Sequence, residues 1–300
     1  MKNKKNKSFF VSIVVPIIGY KTIPSYLCKS LLTLFYPKNR IEILFVKLHS
    51  QKITLPPLGI RTMFVNSKRL IGYSEALNLG ARNAKGELIF LINPDIRLDK
   101  NVLLRLVEYF YKGTTTGVVG PVVFQLRKPK KISPYDLPVL FKKNFGKMTP
   151  FSPEQIKKIK SPYEVDWLSG CALMFSKNTW MRLGGFEEKF FIYWEDADFC
   201  MRAKEKGRRV VIVPDAKVWH EGSVYMRSQN FKKVYYLVRN GKYFTQRHAG
   251  FLGVIFLHFN NALIMTSKIM QLILIPNSRL ESTAVLSGII DFYRGKRGMR

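Results

Sequence analysis

The sequence predicts an α/β fold, a Rossmann-like, mostly parallel sheet with helices on both faces. Three observations predict it. Short runs rich in Val and Ile alternate with stretches of helical spacing through the first 125 residues, the order of βαβ units. The runs are apolar along their whole length, as in strands covered on both faces. Asn93-Pro94-Asp95 closes one of them, and such sheets bind ligands at the carboxyl ends of their strands.

The elements follow in order. Residues 10–15, 41–46, 61–65, 88–92 and 118–124 read as strands, and 23–35, 72–84 and 101–111 read as the helices between them. Phe9–Val15 after a lysine-rich start resembles a leader sequence, but Pro16 and the lack of a small-residue cleavage site favour a buried strand. Residues 127–162 are rich in Lys and Pro, with a helical pattern only near 153–160; they are expected to form a mobile basic loop over the active site. Residues 177–183 and 196–206 read as helices. Asp196 and Asp198 fall in the first turn of the second, where the helix dipole favours ionised carboxylates. Residues 208–213 read as a last strand that Pro214 stops.

The chain beyond this is different. Tyr235, Tyr236, Tyr243 and Phe244 interleave with Arg239, Lys242 and Arg247, and apolar stretches fill 251–259, 262–265 and 269–275. Asn260, Asn261, Ser267, Lys268 and Gln271 interrupt them, whereas a spanning helix wants about 20 predominantly apolar residues. An amphipathic helix in a membrane interface is favoured; packing on the domain and spanning stay open. The expected organisation is a basic N-terminal tail (1–8), a catalytic domain (9–225) and a helical, basic, membrane-associating tail (226–300).

The chain has 300 residues and a formal charge of +30. Most of that charge lies in flanking pieces. Residues 2–7 hold four lysines and no acid, 127–160 hold ten cations against Asp136 and Glu154, and 226–300 hold twelve against Glu281 and Asp291. Such segments attract polyanions. With no nucleic-acid-reading motif, an anionic membrane surface is expected and a nucleic acid is not. Three cysteines, an odd number without close pairing, imply a reducing compartment.

The chemistry concentrates between 163 and 220. The run holds Val165-Asp166-Trp167-Leu168-Ser169-Gly170-Cys171, Gly184-Gly185-Phe186, Trp194-Glu195-Asp196-Ala197-Asp198 and Trp219-His220. Carboxylates and a histidine on strand ends suit metal-assisted transfer of a diphosphate-activated group. Other readings stay open for single residues. Asp95 can form a turn, Asp196 and Asp198 can cap a helix and pair with Arg202, and His220 can be a core histidine.

With Val11–Pro16, Gly72–Gly80 and Leu91–Asp95, this run resembles glycosyltransferase family 2, its rhamnosyltransferase-like branch with the GT-A fold, over about residues 10–248. The resemblance implies an inverting, metal-dependent transfer of a sugar from a nucleotide-diphosphate donor. Asp95 and His220 match the family's metal ligands, for Mn²⁺ or Mg²⁺, and Asp196 matches its catalytic base. Pro16, Asn78, Asn93, Trp194, Glu195 and Asp198 are the implied donor- or acceptor-binding positions, with Glu195 and Asp198 alternatively bracing the helix. The implied acceptor is lipid-linked or a polysaccharide of the cell surface, met at the cytoplasmic face of the membrane.

The chain departs from the family at Lys47 and Asn93, and also at Ile17–Lys21 and near Leu70, where relatives often carry Asn. Lys47 stands where relatives carry a base-binding Asp, and Asn93 stands where many carry a first Asp. A lysine cannot accept the base's N–H. Another nucleotide, recognition by backbone alone, or weakened donor binding would each account for this. A catalytically impaired relative that binds a nucleotide sugar or a partner is the alternative.

Overall fold

The computed structural model describes residues 8–112, 115–222 and 230–300. The basic stretch 1–7 and the expected boundary at 225/226 lie outside the described residues.

The elements in chain order are β1 (Val11–Pro16), α1 (Ser25–Leu32), β2 (Ile41–Leu48), β3 (Arg61–Ser67), α2 (Tyr73–Asn83), β4 (Leu88–Ile92), β5 (Ile96–Leu98), α3 (Val102–Lys112), β6 (Thr116–Gln125), β7 (Val139–Lys142), β8 (Lys147–Pro150), α4 (Pro153–Lys158), β9 (Tyr163–Glu164), β10 (Ala172–Ser176), α5 (Lys177–Leu183), α6 (Glu195–Glu205), β11 (Arg209–His220), α7 (Asn230–His248), α8 (Phe251–Leu274) and α9 (Arg279–Tyr293). The large sheet runs β3-β2-β1-β4-β10-β6-β11-β5, with β9 beside β11. β1 pairs in parallel with β2 and β4, β2 with β3, and β6 with β11.

Alternation along the strands fills two cores. Ile13, Val15, Phe45 and Phe90 point to one face, where Leu27 and Leu31 of α1 and Leu103 and Leu106 of α3 cover them. Val14, Leu44, Val46 and Leu91 point to the other, under Leu77 and Ala81 of α2 and Phe199 and Ala203 of α6. A period of two on strands and apolar stripes on helices makes this two-sided packing.

Three features differ from the sequence reading. β10 is antiparallel and lies between β4 and β6, in the middle of the sheet; it falls outside the alternating strand–helix order that marks the other strands. β11 continues past Pro214 to His220, with a register shift between Val213 and Lys217. That irregularity accommodates the proline, which has no N–H to give the ladder. Residues 127–162 hold the β7–β8 hairpin, turned by left-handed Gly146, and α4, started by a Ser152–Gln155 capping box.

The C-terminal helices pack on the domain. Phe141 of β7 meets Phe244 of α7 edge-on at 5.4 Å. The Tyr235 hydroxyl donates to Asp291 Oδ2 at 2.9 Å and that of Tyr243 to the Phe292 carbonyl at 3.1 Å, tying α9 to α7.

Gly80 lets α2 lie close on the sheet. A Cβ there would meet Val14 Cγ1 at 2.3 Å and Val46 Cγ2 at 3.0 Å. Overpacking at Gly80→Ala costs about 1–3 kcal/mol and outweighs a helix-propensity gain of roughly 1 kcal/mol. The expected outcome is a lower urea midpoint at unchanged m-value; an unchanged or higher midpoint contradicts this packing.

Candidate active site

β4 delivers Asn93, Pro94 and Asp95 to the carboxyl edge of the sheet. Asp95 is 1% exposed, and among the described residues neither carboxylate oxygen has a hydrogen-bond partner. Burying a carboxylate so costs several kcal/mol unless a charge faces it. Its Oδ1 lies 3.3 Å from His220 Nε2 at the end of β11, which pairs with β5 at His220–Ile96. The Asn93 side-chain amide lies 3.4 Å from the same nitrogen and accepts from the Tyr73 hydroxyl.

The other imidazole nitrogen, Nδ1, is 2.9 Å from Asp136 Oδ2. Asp136 also accepts from Ser133 Oγ at 2.6 Å and Ser169 Oγ at 2.7 Å. Burial would raise its pKa, but the charge of His220 and these bonds bring it down to about 2. For His220, burial pulls the pKa down; Cys171, Asp136 and Asp95 overcome that and hold it well above its ordinary value. A cation at Nε2 would displace the proton there. A buried carboxylate without donors, beside an imidazole oriented by a second carboxylate, fits a hard divalent ion.

Glu195 and Asp196 open α6 behind a strained turn. Phe191, Tyr193 and Trp194 have φ of 67°, 66° and 75°, at about 1–3 kcal/mol each. Fully buried Asn240 of α7 holds the turn. Its amide donates to the Phe190 and Ile192 carbonyls at 2.7 Å and to that of Tyr193 at 3.2 Å. Asp196 Oδ2 accepts from Gly170 N at 2.6 Å and Oδ1 from Ala197 N at 2.8 Å. Burial raises the Asp196 pKa against the pull of these N–H groups. Burial, then the Asp196 charge, raises Glu195 well above its ordinary value, and among the described residues Glu195 Oε2 has no partner. At Asp196 burial outweighs the helix dipole invoked from the sequence, whereas Asp198 is held below its ordinary value.

The turn Ser169-Gly170-Cys171 joins the two halves. Ser169 bonds Asp136, Gly170 bonds Asp196, and the Cys171 carbonyl accepts from Asn93 N at 2.9 Å. Cys171 Sγ lies within 4.8 Å of ligand atoms of Asp136 and His220. Burial pushes its thiol up to about 12, so it stays protonated. Asp95, Asp196 and His220 thus gather around one turn.

Other expected residues point elsewhere. Asp198 has no side-chain exposure and bonds Arg202 at 2.7 Å, His248 at 2.9 Å and Arg247 at 3.0 Å. It braces the helix, and reaching an acceptor is closed to it. Asn78 is 3% exposed. Its amide nitrogen donates to the Phe186 carbonyl and Glu188, and its oxygen accepts from Phe186 N and Trp180 Nε1. It ties α2 to the 185–188 loop and does not face a ligand. Trp194 is half-buried, stacked on Trp167 at 5.7 Å, with its indole N–H on the Leu237 carbonyl. Pro16 is buried beside Val46 at the end of β1.

Asp136, Ser169, Tyr73 and Asn240 are the contributors that sequence reasoning passed over. Asp136 is the only acid between 127 and 153, a signal that could have marked it. A cleft of about 280 Å³ opens beside Asp95, lined by Gly19, Tyr20, Lys21, Tyr26 and Glu221. Lys47 does not reach into it as a free cation; its ammonium bonds the carbonyls of Gln51 at 2.7 Å and Leu48 at 3.3 Å. The Gln51 amide in turn donates to Ile17 and Tyr20 carbonyls.

A profile described as "Glycosyltransferase like family 2" matches residues 52–240. The chain is 27% identical over 148 residues to the low-salt glycan biosynthesis hexosyltransferase Agl10 of Haloferax volcanii, covering 48% of this chain and 46% of that protein. It is 27% identical over 143 residues to the N-acetylglucosaminyl-diphospho-decaprenol L-rhamnosyltransferase of Mycobacterium tuberculosis, covering 44% and 46%. To rhamnosyltransferase WbbL of Escherichia coli it is 28% identical over 138 residues, covering 44% and 52%. The matches thus span about half the length of these relatives. Among solved structures, the mannosyltransferase PcManGT of Pyrobaculum calidifontis, in complex with GDP-Man and Mn²⁺, gives a TM-score of 0.59 at 15% identity over 97% of this chain and 89% of that one. TarS 1–349 of S. aureus gives 0.55 at 14% identity over 94% and 80%. The shared fold is GT-A.

Two outcomes follow from the geometry. A Cβ on Gly170 would stand 2.9 Å from Asp196 Cβ, so Gly170→Ala should displace that carboxylate. Turnover is expected to fall about 10–100-fold, since small misplacements cost that much, with little loss of thermal stability; an unchanged kcat contradicts the assigned contact. Asp198→Asn leaves Arg202 without its buried partner and should destabilise by about 3–5 kcal/mol. The depressed pKa of Asp198 gives stability that is present above the ordinary carboxylate range and lost as pH falls through the folded value. The variant should therefore lose less stability than the native chain between about pH 4 and pH 2 in denaturant titrations; parallel acid limbs contradict it.

Proposed function

Because this chain belongs to glycosyltransferase-like family 2, we propose that it transfers a sugar from a nucleotide-diphosphate donor to an acceptor hydroxyl, with inversion. One observation carries the reading. A buried carboxylate with no hydrogen-bond donor among the described residues, Asp95, sits on the wall of an open cleft, opposed by His220 and one turn away from Asp196.

Asp95 and His220 would hold a divalent cation, Mn²⁺ or Mg²⁺, with Asn93 beside them. When bound, it supplies positive charge against the diphosphate leaving group. Asp136 fixes the imidazole through Nδ1, so that Nε2 faces Asp95. Lys21, on the cleft wall, adds attraction for a diphosphate. Asp196 takes the proton of the acceptor hydroxyl as that oxygen bonds the anomeric carbon. The bond from that carbon to the diphosphate breaks on the opposite face, and the electron pair leaves with the diphosphate. Burial has raised the Asp196 pKa, which moves the carboxylate toward the range where a base works best. Gly170 N fixes its Oδ2. Burial, then the nearby Asp196 charge, raises Glu195 further, because two adjacent carboxylates resist ionising together. In this reading Glu195 adjoins the acceptor and Asn93 the donor, while Trp194 and Pro16 act only by packing behind them.

The acceptor is a lipid-linked or polysaccharide glycan of the cell surface, met by a cytoplasmic enzyme peripheral on the inner face of the membrane. The decaprenol-linked substrate named for the mycobacterial relative and the apolar helix Phe251–Leu274 support this. A second reading, a nucleotide-sugar binder without turnover, is favoured by Lys47, whose ammonium is spent on backbone carbonyls, and by Asn93.

Asp196→Asn should lower transfer about 10²–10⁴-fold while nucleoside diphosphates still stabilise the protein. A native chain that binds donor without transfer or hydrolysis selects the second reading. Asp95→Asn should abolish the Mn²⁺-dependent part of the thermal shift given by nucleoside diphosphates; an equal shift in native and variant removes Asp95 from the cation site.

A further inference from the structure

We infer that the outward face of α8, extended by the tip of the β7–β8 hairpin, docks on an anionic lipid bilayer with the helix in the plane of the interface. α8 has 24 residues, about 36 Å at 1.5 Å per residue. Leu252, Phe256, Phe259, Leu263, Met270 and Leu274 recur on it at three-, four- and seven-residue spacing and are all exposed, Phe259 at 64%. They form an apolar stripe along one side of the helix, broken at Thr266 and Ser267, of a kind that soluble monomers rarely leave bare.

The opposite side of α8 is engaged. Gly253, Leu257 and Asn261 are buried. His258 Nδ1 and Asn261 Nδ2 lie 2.9 and 3.1 Å from the Tyr293 hydroxyl of α9, and Lys268 bonds Glu281 at 3.0 Å. Turning α8 into a spanning helix would strip these polar groups of their partners inside hydrocarbon. Of the three arrangements the sequence left open, α8 thus packs by one side and offers the other to an interface.

The hairpin joins the same surface. Phe145, 57% exposed at its tip, pairs with Phe256 at 6.3 Å, and the Lys143 carbonyl accepts from Gly250 N at 2.9 Å. Its lysines 142, 143 and 147 are exposed, with no acid between 137 and 153. From 249 to 300 the chain adds six cations against two carboxylates, and both carboxylates are paired with lysines. An apolar stripe rimmed by cations complements an anionic lipid surface. A second copy of the chain would bring the same cations against it.

This surface extends the sugar-transfer reading, and vesicle binding tests it without donor or acceptor. The full chain should co-sediment with phosphatidylcholine vesicles containing one third phosphatidylglycerol, about tenfold or more tightly than with phosphatidylcholine alone, and less tightly at high salt. The exposed pair Phe256→Asp/Phe259→Asp should remove binding at unchanged Tm. Lys142→Glu/Lys143→Glu/Lys147→Glu should remove most of the preference for phosphatidylglycerol. Asp196→Asn should bind as the native chain does, which separates failure of docking from failure of transfer. Undiminished binding by the folded Phe256/Phe259 variant overturns the proposal. So does resistance to alkaline carbonate extraction, which means spanning, or a dimer by light scattering that the same pair of substitutions dissolves.

Discussion

The three-residue turn Ser169-Gly170-Cys171 is the constraint on which the rest of the site depends. It lies just before β10, and its neighbours come from four separate parts of the chain. Ser169 reaches Asp136 in the segment before β7, Gly170 reaches Asp196 at the start of α6, and Cys171 reaches Asn93 after β4 and lies close to His220 at the end of β11. The turn can hold so much because β10 is clamped between β4 and β6. A ladder on both sides fixes its position, and the backbone groups before it inherit that fixity. A glycine is needed in the middle, where Asp196 Cβ leaves no room for another carbon.

The C-terminal helices belong to the support of the site as much as to any surface role. Asn240 binds three carbonyls of the turn that carries three positive-φ residues into Glu195 and Asp196. Arg239, 1% exposed, lies over Tyr235 and Tyr236, so a charge is buried among rings and a carbonyl network where cation–π attraction offsets part of its desolvation. Asp198 answers from α6 with Arg247 and His248. The aromatic–basic pattern that marks the tail as different in sequence is therefore mostly an internal interface. Among the described residues of this region, α8 leaves the broadest run of exposed apolar side chains.

The departures at the donor end have a local physical account. Lys47 and Gln51 close the loop after β2 with side-chain bonds to backbone carbonyls. A carboxylate at 47 could not make those bonds, since it only accepts. Asn93 likewise trades a negative charge for an amide that takes the Tyr73 hydroxyl and neighbours His220. Tyr73 is buried between the two acidic centres, with its pKa raised by burial first and then by Glu195, Cys171, Asp196 and Asp95. Its neutral hydroxyl separates them without adding charge.

The sequence by itself determined the parallel half of the sheet and its covering helices, because periodicity is a local property of the chain; Asp95, Asp196 and His220 it offered as candidates, through the family resemblance of the motifs that carry them. It could not reveal β10 as the central antiparallel strand or β11 running on past Pro214, because pairing partners and register shifts are long-range. It placed Asn78 beside a ligand and left Asp198 between a ligand and Arg202, whereas both are consumed by bonds to residues 4 to 110 positions away, Asp198 by Arg202 among them. It passed over Asp136, which becomes meaningful only when 84 residues of chain bring His220 to it. Residue type and spacing state which chemistry is possible; only the tertiary structure decides which polar atoms are already satisfied and which remain free to act.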